Sequence, residues 1–446
     1  MLDNLFEKKI VIFGYGVEGK GLVDFLISRG ASNITVFDEK DIPKKQRISG
    51  VSYSCGPFES QYYEGIDLAF RSPGIKIERL RKVLPEAVVI SSPTNLFFDL
   101  AKGKKIIVTG TKGKSTTANI IYQILKDNGL DAYLGGNVGN LLLGFVDDLS
   151  SHSYTVAELS SFQLHDFSGV ADYCVYLPII SDHMDYHSNF KEYFDAKKQA
   201  IIKMDGGVAV LTAGNESYEL AVNDKVQYLY YSTSAEIESG CYLNRDGCTC
   251  QGRDETVKIA KVEELSRKYK IPIVDILAAI SLAYALDLKI DIDHHLKAFN
   301  KPDYRIEQIH SGSGVEFFND SASTNPISTI EALKLLTKPT VLIMGGSSKG
   351  LAYEELAKAI VSNSKVRLIF LIGETADAIK SSLLLAGWEG HILKKNNLEE
   401  VFEDLAVGSK NYGSILFSPA SASFDQYRDY KDRGRSFSLL VKRHFP

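Results

Sequence analysis

Residues 106–121, Ile-Ile-Val-Thr-Gly-Thr-Lys-Gly-Lys-Ser-Thr-Thr-Ala-Asn-Ile-Ile, join a strand pattern, a glycine turn and a helix pattern without interruption. The β-branched run from Ile106 to Thr109 is typical of a buried strand, and a helical pattern runs from Thr116 to about Asn128. Glycines between a strand and a helix let backbone N–H groups surround phosphate oxygens, and the helix N-terminus adds partial positive charge. The stretch therefore predicts a phosphate-binding loop.

Two side chains of this loop have the chemistry that nucleotide phosphates require. Lys114 is placed to reach the outer phosphates, and the Ser115 hydroxyl is placed to bind Mg²⁺. The general motif has a glycine five residues before Gly113, where this chain has Val108. The alternative is a glycine-rich turn without a ligand. The ordered succession of strand, glycines, Lys-Ser pair and helix favours the phosphate loop.

The composition is that of an ordinary globular protein with several domains. The chain has 446 residues, of which 44% are hydrophobic and 24% charged, so two to four domains are expected. The net charge of −5 argues against a nucleic-acid-binding protein. The first residues do not have the pattern of a secretion signal, and no apolar run is long enough to span a membrane.

The five cysteines indicate a cytoplasmic protein with free thiols. Cys241, Cys248 and Cys250 have the wrong spacing for a zinc knuckle, and no histidine lies near them in the sequence. We therefore expect exposed cysteines on a hairpin rather than a metal site.

The N-terminal segment has the pattern of a nucleotide-binding βαβ unit. Its predicted parts are a strand over Lys9–Phe13, a glycine turn over Gly14–Gly19, a helix over Lys20–Arg29 and a strand over Asn33–Phe37. Asp38 then occupies the place where an acidic residue commonly binds a ribose hydroxyl. NAD is the default nucleotide for this stretch taken alone, and a turn that only permits close packing is the alternative.

A third strand of this segment ends at Arg71, directly before Ser72-Pro73-Gly74. Proline and glycine favour an open loop there, at the sheet edge that faces ligands in doubly wound folds. Polar, proline-containing sequence near Ser91–Asn95 then marks the first domain boundary.

The central part carries polar side chains just after its predicted strands. A strand over Tyr154–Leu159 carries Glu158 near its end, and a strand over Val175–Ile180 is followed by His183. Both side chains are capable of binding a metal, and both are expected at the same sheet edge as the phosphate loop. The tight glycine loop before these strands brings Asn137 to that edge as well.

The rest of the central part consists of helices and short strands. A helix over Phe190–Met204 bears Lys197, and residues 208–262 alternate apolar and polar, which predicts short antiparallel strands beside the main sheet. Asp275–Ala285 is predicted to be an apolar core helix. Asn300-Lys301-Pro302-Asp303 is the predicted second linker.

Beyond the second linker, strands alternate with helices again. The predicted elements are strands over Val315–Asn319, Thr340–Met344, Val366–Ile372 and Ser414–Phe417, with a helix over Ser328–Leu336. The sequence thus predicts an α/β protein of three domains. These are an N-terminal Rossmann-like domain (1–95), a central P-loop ATPase-like domain with a parallel sheet and a small antiparallel sheet (96–301), and a C-terminal Rossmann-like domain (302–446).

The stretch Glu158-Leu159-Ser160-Ser161-Phe162-Gln163-Leu164 resembles the Mur ligase family, which adds amino acids in peptidoglycan synthesis, and within it the branch that adds D-glutamate. The similarity covers essentially the whole chain. It includes Gly14–Gly19 with Asp38, Ser72–Gly74, the phosphate loop, Gly136-Asn137-Val138-Gly139, Asp182-His183-Met184-Asp185, Ala196-Lys197, Arg305, Asn319–Ser321, Gly345-Gly346, Lys349 and Ser418–Gln426.

The resemblance implies a cytoplasmic ligase that uses ATP and Mg²⁺ to join D-glutamate to UDP-N-acetylmuramoyl-L-alanine through an acyl phosphate. It implies no nucleic-acid partner and no membrane span, and a monomer is expected. Other interpretations remain open. They are a divergent ligase for another amino acid, a non-catalytic nucleotide-binding homologue, and an NAD-dependent oxidoreductase that rests on the N-terminal glycine turn alone.

The resemblance also implies roles for particular residues. The catalytic group comprises Lys114, His183, Lys197 and Asn137, and the metal ligands are Ser115, Glu158, His183 and Lys197, the last as a carbamate. The ATP-binding residues are Gly110, Thr111, Lys112, Gly113, Lys114, Ser115, Thr116, Arg305 and Asp320. The UDP-substrate residues are Gly14, Tyr15, Gly16, Val17, Asp38, Ser72, Pro73 and Gly74, and the amino-acid residues are Thr324, Lys349, Ser423 and Tyr430.

The chain departs from the family pattern in two places. The family usually has Gly-x-His-Asn before the central apolar helix, where this chain has Tyr269, Ile271 and Pro272, with Asp275 in place of a later asparagine. The family's Asn-Asp-Ser-Lys ends in Ala322 here, which removes a cation beside the amino-acid site. These departures concern adenine recognition and amino-acid choice.

Overall fold

The computed structural model describes residues 5–58, 65–137, 139–184, 186–214, 219–252, 256–299, 303–309, 314–408 and 412–446. Across these residues the strands form three sheets, each with helices that connect parallel strands, which confirms the predicted α/β class. The predicted linker residues Asn300, Lys301 and Pro302 lie outside the described residues, as do Val138 and Asp185.

The chain divides into two compact units. The first unit comprises Met1–Ala260 with Val274–Ala298, and it contains the first two sheets. The second comprises Lys261–Ile273 with Phe299–Pro446, and it contains the third sheet.

The first sheet is parallel throughout its described strands. These are β1 (Ile10–Phe13), β2 (Ile34–Asp38), β3 (Ser52–Cys55), β4 (Leu68–Arg71) and β5 (Val89–Ser91), in the order β3-β2-β1-β4-β5. This is the Rossmann order, in which β1 and β4 lie side by side although a helix and two strands separate them in sequence. The loops after β1 and β4 therefore meet at the switch point of the sheet, where ligands bind in such folds.

The second sheet is built around the strand that leads into the phosphate loop. Its described strands are β6 (Lys104–Thr109), β7 (Ala132–Gly136), β8 (Tyr154–Glu158), β9 (Tyr173–Tyr176), β10 (Val208–Thr212), β11 (Gln227–Ser232), β12 (Gly240–Asn244), β13 (Gly247–Gln251) and β14 (Thr256–Ala260). Their order is β14-β13-β12-β11-β10-β9-β6-β8-β7. β6 thus lies between β8 and β9, so the residues after all three strands share one edge.

The interpretation of residues 208–262 as short antiparallel strands beside the main sheet was wrong for part of that segment. β10 and β11 run parallel to each other, and β10 also runs parallel to β9. Only β12, β13 and β14 pair antiparallel, and they extend the same sheet at its edge. Alternation of apolar and polar residues predicts a half-exposed strand but does not fix its direction, which depends on the connection before it.

The prediction of exposed free cysteines in this region was also wrong. Cys241 and Cys250 are directly opposed on β12 and β13 and form a disulfide, and both side chains are buried. Cys248 is a free thiol but is buried as well. β12 and β13 have neighbouring strands on both sides and are covered on the face that carries these cysteines. The cysteines therefore belong to the core, although the sequence predicted an exposed hairpin.

The third sheet has its own order among the described strands. β15 (Glu307–Ile309) pairs antiparallel with β16 (Glu316–Asn319), and β17 (Thr340–Gly345), β18 (Val366–Ile372), β19 (His391–Lys394) and β20 (Ser414–Phe417) complete the sheet. The order β15-β16-β20-β17-β18-β19 places the loops after β16, β20 and β17 side by side. These three loops carry the predicted amino-acid residues.

The sequence pattern predicts bounds for five of the described α-helices, and each of these begins and ends within three residues of the prediction. The described α-helices are α1 (Val17–Ser28), α2 (Ile77–Arg81), α3 (Pro93–Leu100), α4 (Lys114–Asp127), α5 (Ser161–Leu164), α6 (Phe190–Ile202), α7 (Val262–Tyr269), α8 (Ile273–Ala285), α9 (Ile292–Ala298), α10 (Pro326–Lys334), α11 (Glu354–Val361), α12 (Ala376–Leu385), α13 (Leu398–Gly408) and α14 (Tyr430–His444). In the part of the chain that the structure describes, no helix has both the length and the apolar character needed to cross a membrane.

One predicted strand ends earlier than the sequence pattern indicates. The strand expected over Val175–Ile180 ends at Tyr176, and Pro178 follows two residues later. Proline has no N–H to donate to a sheet, so the apolar run continues beyond the strand without extending it. The early end leaves residues 177–183 as a loop over the phosphate-loop edge.

Close packing of α1 on β1 depends on a glycine. A Cβ atom at Gly19 would lie 2.1 Å from the Gly14 carbonyl oxygen and 3.3 Å from the Ser72 Oγ. The glycine therefore lets the first turn of α1 lie directly against the loops after β1 and β4. This is the close helix-to-strand approach that the nucleotide fingerprint predicts.

We expect Gly19→Ala to lower the free energy of unfolding by roughly 1–3 kcal/mol, because the added methyl group overlaps a backbone atom that cannot move without shifting β1. Urea unfolding followed by circular dichroism measures the change. Gly144→Ala is the matched control, since a Cβ atom there meets no atom within 4 Å. Equal stability of the two variants would contradict the packing role of Gly19.

Candidate active site

The phosphate loop has a backbone that only glycine adopts without strain. Gly110 follows β6 with φ of 141°, and Gly113 precedes α4 with φ of 84°. A Cβ atom at Gly110 would lie 2.6 Å from the Leu177 side chain, and one at Gly113 would lie 2.0 Å from an oxygen of Asp275. The loop is therefore held closely by neighbouring segments, with the N-terminus of α4 open behind it.

Two lysine side chains converge on one carbonyl group of this loop. Lys114 Nζ donates to the Gly110 oxygen at 3.1 Å and to the Thr111 oxygen at 2.9 Å. Lys197 Nζ donates to the same Gly110 oxygen at 2.9 Å. The sequence placed these lysines 83 positions apart, and the structure brings their amino groups to one atom. Both amino groups therefore lie beside the turn where phosphate is expected.

Lys197 is held in an environment that disfavours its charged form. Its side chain is only 1% exposed, its Nζ lies 3.4 Å from the Thr109 Oγ1, and it lies 4.8 Å from the centre of the Tyr193 ring. Burial, followed by the charge of Lys114, lowers the pKa of Lys197 well below the ordinary lysine value. The neutral amine is therefore favoured at Lys197 more than at an exposed lysine.

Ser115 and Glu158 form the pair of oxygen groups that the loop motif predicts. Ser115 Oγ donates to Glu158 Oε2 at 2.8 Å, and Glu158 is buried at the end of β8. Oxygen ligands suit Mg²⁺, which usually takes one or two protein groups and completes its shell with water and phosphate. The pair fits such an ion. Among the described residues, no cluster of three or more His, Cys, Asp or Glu side chains is arranged to hold a metal ion.

The segment that carries His183 is tied to the phosphate loop. Thr111 N donates to the Pro178 oxygen at 3.0 Å, and the Thr111 hydroxyl donates to the Ile180 oxygen at 2.9 Å. Lys112 Nζ lies 3.3 Å from Asp182 Oδ2, so this extra loop lysine forms an ion pair beside His183. His183 itself has φ of 59°, and its ring contacts Phe162 with the ring centres 4.8 Å apart.

The remaining predicted residues of this edge are placed as follows. Asn137 lies in the loop after β7. Its backbone N–H donates to the backbone carbonyl oxygen of Glu158 at 3.0 Å, and its side chain is exposed. Thr116 is buried inside the first turn of α4, so its side chain supports the helix.

Tyr193 was missed by sequence reasoning. Its hydroxyl is 2.8 Å from the Thr111 hydroxyl. Tyr193 precedes Lys197 by four residues on the same helix, so a search for i, i+4 neighbours of Lys197 would have found it.

The loops after β1 and β4 meet as the sheet order requires. Ser72 Oγ donates to the Gly14 oxygen at 2.9 Å, and the Asp38 carboxylate accepts the Tyr15 N–H at 2.7 Å. Asp38 therefore orders the glycine turn in addition to any ligand role. Gly16 caps α1, and Val17 is 74% exposed beside it.

Three other residues of this predicted UDP-substrate group differ in how they are placed. The Tyr15 side chain is buried and its hydroxyl donates to the Gln46 oxygen at 2.9 Å, so it anchors the turn to the following segment. Pro73 is half-buried and Gly74 is exposed in the open loop after β4.

Two charged residues that the sequence did not single out connect these loops to the second sheet. Gln163 Nε2 donates to Glu18 Oε1 at 2.9 Å. Arg71 is fully buried and forms an ion pair with Asp166. A charged residue at the end of the otherwise apolar strand Leu68–Arg71 was a usable signal, because a buried arginine needs partners.

A buried arginine of the second unit contacts two of the loops that carry the predicted amino-acid residues. Arg433 on α14 donates to the Ser321 oxygen at 2.9 Å, to the Ala422 oxygen at 2.8 Å and to the Ser421 oxygen at 3.0 Å. Burial lowers the pKa of Arg433 to about 10, which leaves it charged at neutral pH. The arginine therefore draws the loops after β16 and β20 together.

Four predicted amino-acid residues line these loops or the adjoining one. Thr324 is half-buried after β16, Ser423 is buried after β20, and Tyr430 at the start of α14 is 36% exposed. The Tyr430 carbonyl oxygen accepts the Ser321 hydroxyl at 2.8 Å. Lys349 is exposed in the loop after β17, which pairs with the loop after β20 through Ser347 N and the Ala422 oxygen at 2.9 Å.

Asp320 and Arg305, both predicted at ATP, lie in the same unit. The Asp320 carboxylate accepts the Ile306 N–H at 3.2 Å and the Ser418 hydroxyl at 2.7 Å. It thereby fixes the short segment that carries the half-buried Arg305, in which Tyr304 and Ile306 both have positive φ.

The structure shows where the residues that replace the family's Gly-x-His-Asn lie. Asp275 lies directly beside Gly113 of the phosphate loop and is buried. Lys270 Nζ instead donates to the Leu335 oxygen at 2.9 Å within the second unit. The residues that replace the family's Gly-x-His-Asn thus belong to the packing of the second unit, while Asp275 remains at the loop.

Comparison with known proteins matches both halves of the first unit to one family. Residues 108–274 match the Mur ligase middle domain, and residues 8–88 match the Mur ligase MurD-like N-terminal domain. The UDP-N-acetylmuramoylalanine–D-glutamate ligase of a Thermoanaerobacter species is 31% identical over 448 residues, covering 97% of this chain and 98% of that protein. The chain belongs to the Mur ligase family. The alignment covers nearly the full length of both proteins, so the similarity of this Mur ligase to that relative is not confined to one segment.

Solved structures of other Mur ligases share the fold. The UDP-N-acetylmuramate–alanine ligase of Thermotoga maritima aligns with a TM-score of 0.57 at 18% identity, covering 98% of this chain and 99% of that one. The MurF ligase of the same organism, solved in complex with ADP, aligns with a TM-score of 0.58 at 17% identity, covering 99% of each chain. At this identity the agreement concerns the three-domain architecture of the Mur ligase.

Glu18 makes the free energy of unfolding of this Mur ligase depend on pH, because the buried carboxylate is costly when it is charged. Burial raises the pKa of Glu18 to about 7, although the Gln163 hydrogen bond and the Arg71 charge act in the opposite direction. The folded chain therefore binds the Glu18 proton more tightly than the unfolded chain does. The stability that results is fully present below the pKa of Glu18 in the unfolded chain, and it is lost as the pH rises through about 7.

We expect Glu18→Gln to keep the hydrogen bond to Gln163 and to remove this cost. The variant should gain on the order of 1–3 kcal/mol relative to wild type at pH 8 and little at pH 4.5. Thermal unfolding at the two pH values measures the difference. Glu86→Gln neutralises an exposed carboxylate of the same sheet region and serves as control. A gain that is the same at both pH values would contradict the raised pKa.

Proposed function

We propose that this Mur ligase joins D-glutamate to UDP-N-acetylmuramoyl-L-alanine with cleavage of ATP to ADP and phosphate, as a step of cytoplasmic peptidoglycan synthesis. The observation that carries the proposal is the convergence of Lys114, Lys197 and the Ser115–Glu158 pair around the Gly110 turn. Such a group of cations and oxygen ligands at a helix N-terminus is suited to phosphoryl transfer. The full-length similarity to D-glutamate ligases supports the choice of substrates.

The chemistry follows from the weakness of a carboxylate as an electrophile. A carboxylate oxygen of the UDP substrate attacks the γ-phosphorus of ATP, the bond to the bridging oxygen breaks, and ADP leaves. The amino nitrogen of D-glutamate then attacks the acyl carbon, the carbon–oxygen bond breaks, and phosphate leaves as the new amide loses a proton. Both steps depend on positioning and charge neutralisation more than on covalent catalysis.

This chain's own residues supply that charge and position. Lys114 lies at the loop and is drawn from the Gly110 and Thr111 oxygens to the phosphates when ATP binds. Mg²⁺, held by Ser115 and Glu158, with His183 and carbamylated Lys197 as further ligands, would neutralise phosphate charge when bound. Asn137 stands at the same edge to orient the reacting carboxylate.

The remaining substrate contacts are assigned by domain. Residues 1–95 bind the UDP moiety through the loops after β1 and β4, with Asp38 at the ribose. Residues 96–301 bind ATP. Residues 302–446 bind D-glutamate through Thr324, Lys349, Ser423 and Tyr430, and Arg305 and Asp320 of that domain contribute to the ATP site.

The substrate assignment is tested by phosphate release. With ATP, Mg²⁺ and UDP-N-acetylmuramoyl-L-alanine present, we expect release with D-glutamate at least 100-fold faster than with L-glutamate or D-aspartate. The loss of a family lysine at Ala322 makes this comparison necessary, since it removes one cation near the acceptor. Lys114→Ala should abolish release while the UDP substrate still binds. Preference for another amino acid would contradict the D-glutamate assignment.

Lys197 is expected to act as a carbamate. A neutral, buried amine beside phosphate and metal ligands attacks CO₂, the N–C bond forms, one proton leaves, and an anionic carboxylate replaces the cation. Lys197→Ala should therefore lose activity by 100-fold or more and recover part of it with acetate or formate, which fill the vacated place. Lys198→Ala, one position along the same helix, is the control. Full activity of Lys197→Ala would exclude the role, and inactivity without rescue by any short carboxylate would also count against it.

A further inference from the structure

The turn that follows Glu158 is a hydrogen-bonded cap. The Ser160 N–H donates to Gln163 Oε1 at 2.9 Å, and Ser160 Oγ accepts the Gln163 N–H at 3.3 Å. This reciprocal arrangement fixes the first turn of α5 and therefore the direction in which the chain leaves Glu158. The orientation of Glu158 thus depends on how Gln163 is held.

Glu18 holds the other end of the Gln163 amide. Gln163 Nε2 donates to Glu18 Oε1 at 2.9 Å, so the oxygen of the amide is bound to the cap and its nitrogen to α1. Glu18 lies in the first turn of α1, directly after the glycine turn. The contact joins residues 145 positions apart and links the predicted UDP loop to the Glu158 turn.

Arg71 holds the same turn from the second UDP loop. Its Nη2 donates to the Phe162 oxygen at 2.8 Å, and its Nη1 donates to the Pro73 and Ile75 oxygens at 3.0 Å each. Its Nε donates to Asp166 Oδ2 at 2.7 Å. A guanidinium offers five N–H donors in a planar fork, and here one fork contacts both the loop after β4 and the turn after β8.

The Glu18–Gln163 contact lines a cavity that also reaches the loop of Asn137. The cavity is small, with a volume of about 20 Å³, and its walls include Gly136 and Leu141–Leu143. Thr94 also lines it, and the buried Thr94 hydroxyl has no hydrogen-bond partner among the described residues. A buried hydroxyl without a partner is costly, and a space of this size accommodates about one water molecule beside it.

We infer that Glu18 and Arg71 are positioning residues that couple binding of the UDP substrate to binding of the nucleotide, by joining both UDP loops to the turn after Glu158. The inference rests on the proposed function. A substrate that orders the loops after β1 and β4 orders the Glu158 turn through these contacts, and Glu158 pairs with Ser115 at the nucleotide site. By thermodynamic linkage, each ligand then raises the affinity of the protein for the other ligand by the same factor.

The test is calorimetric and needs no turnover. UDP-N-acetylmuramoyl-L-alanine is titrated into the full chain with and without a saturating non-hydrolysable ATP analogue and Mg²⁺, and the ratio of the two dissociation constants is the coupling factor. We expect a factor of at least five for wild type and below two for Glu18→Ala and Arg71→Lys. Glu18→Gln, whose amide oxygen still accepts from Gln163, should keep at least half of the wild-type factor.

Controls separate coupling from loss of structure. Glu86→Ala and Arg81→Lys alter exposed residues of the same sheet region and should keep the wild-type factor. Because fully buried Arg71 is the variant most prone to misfold, Glu18→Ala carries the test alone if Arg71→Lys is unfolded. A general loss of structure weakens both titrations and leaves their ratio unchanged. An unchanged ratio in folded Glu18→Ala, or a ratio of one in wild type that binds both ligands, overturns the inference. Failure of wild type to bind the UDP substrate at all would instead refute the proposed function.

Discussion

The carbonyl oxygen of Gly110 accepts hydrogen bonds from two lysines, and the site depends on this shared contact. Two ammonium groups beside one buried carbonyl repel each other, and burial adds to the cost of charge. Burial and the charge of Lys114 lower the pKa of Lys197, whereas Lys114 has a second carbonyl partner at Thr111. The same constraint therefore distinguishes the two lysines, because it disfavours the charged form of Lys197 in particular. The left-handed glycine that allows the carbonyl to face both side chains is part of that constraint.

The other elements place ligands around this point. The order of the second sheet sets β6 between β8 and β9, so Glu158 and the His183 segment arrive at the loop from either side. In the first sheet, the switch point between β1 and β4 brings Gly14 and Ser72 together. In the second unit, Arg433 gathers the loops that carry the predicted amino-acid residues. Each sheet thus presents its polar residues at the carboxyl ends of its strands, which is the general place for ligands in parallel α/β sheets.

The sequence was sufficient for the local patterns and insufficient for the contacts between distant segments. The strand, glycine loop and helix at residues 106–121, the glycine turn with Asp38, and Glu158 at a strand end were all predictable, because periodicity and glycine spacing act over a few residues. The directions of β10 and β11 and the burial of Cys241 and Cys250 were not, because both depend on which strands become neighbours. The links of Glu18 to Gln163 and of Arg71 to Asp166 join residues 145 and 95 positions apart, and no local pattern specifies such pairs.

In the proposed reaction, the γ-phosphoryl group of ATP is transferred at the phosphate loop to the carboxylate of the UDP substrate. Isotope transfer distinguishes this step from hydrolysis of ATP by water. UDP-N-acetylmuramoyl-L-alanine labelled with ¹⁸O in both carboxylate oxygens is converted with ATP and D-glutamate, and the released phosphate is analysed by mass spectrometry. Attack by the carboxylate predicts that each phosphate carries one ¹⁸O atom, because the oxygen that attacks phosphorus stays with phosphate when the amide forms. Phosphate without the label would show that ATP is hydrolysed by water and would contradict the account.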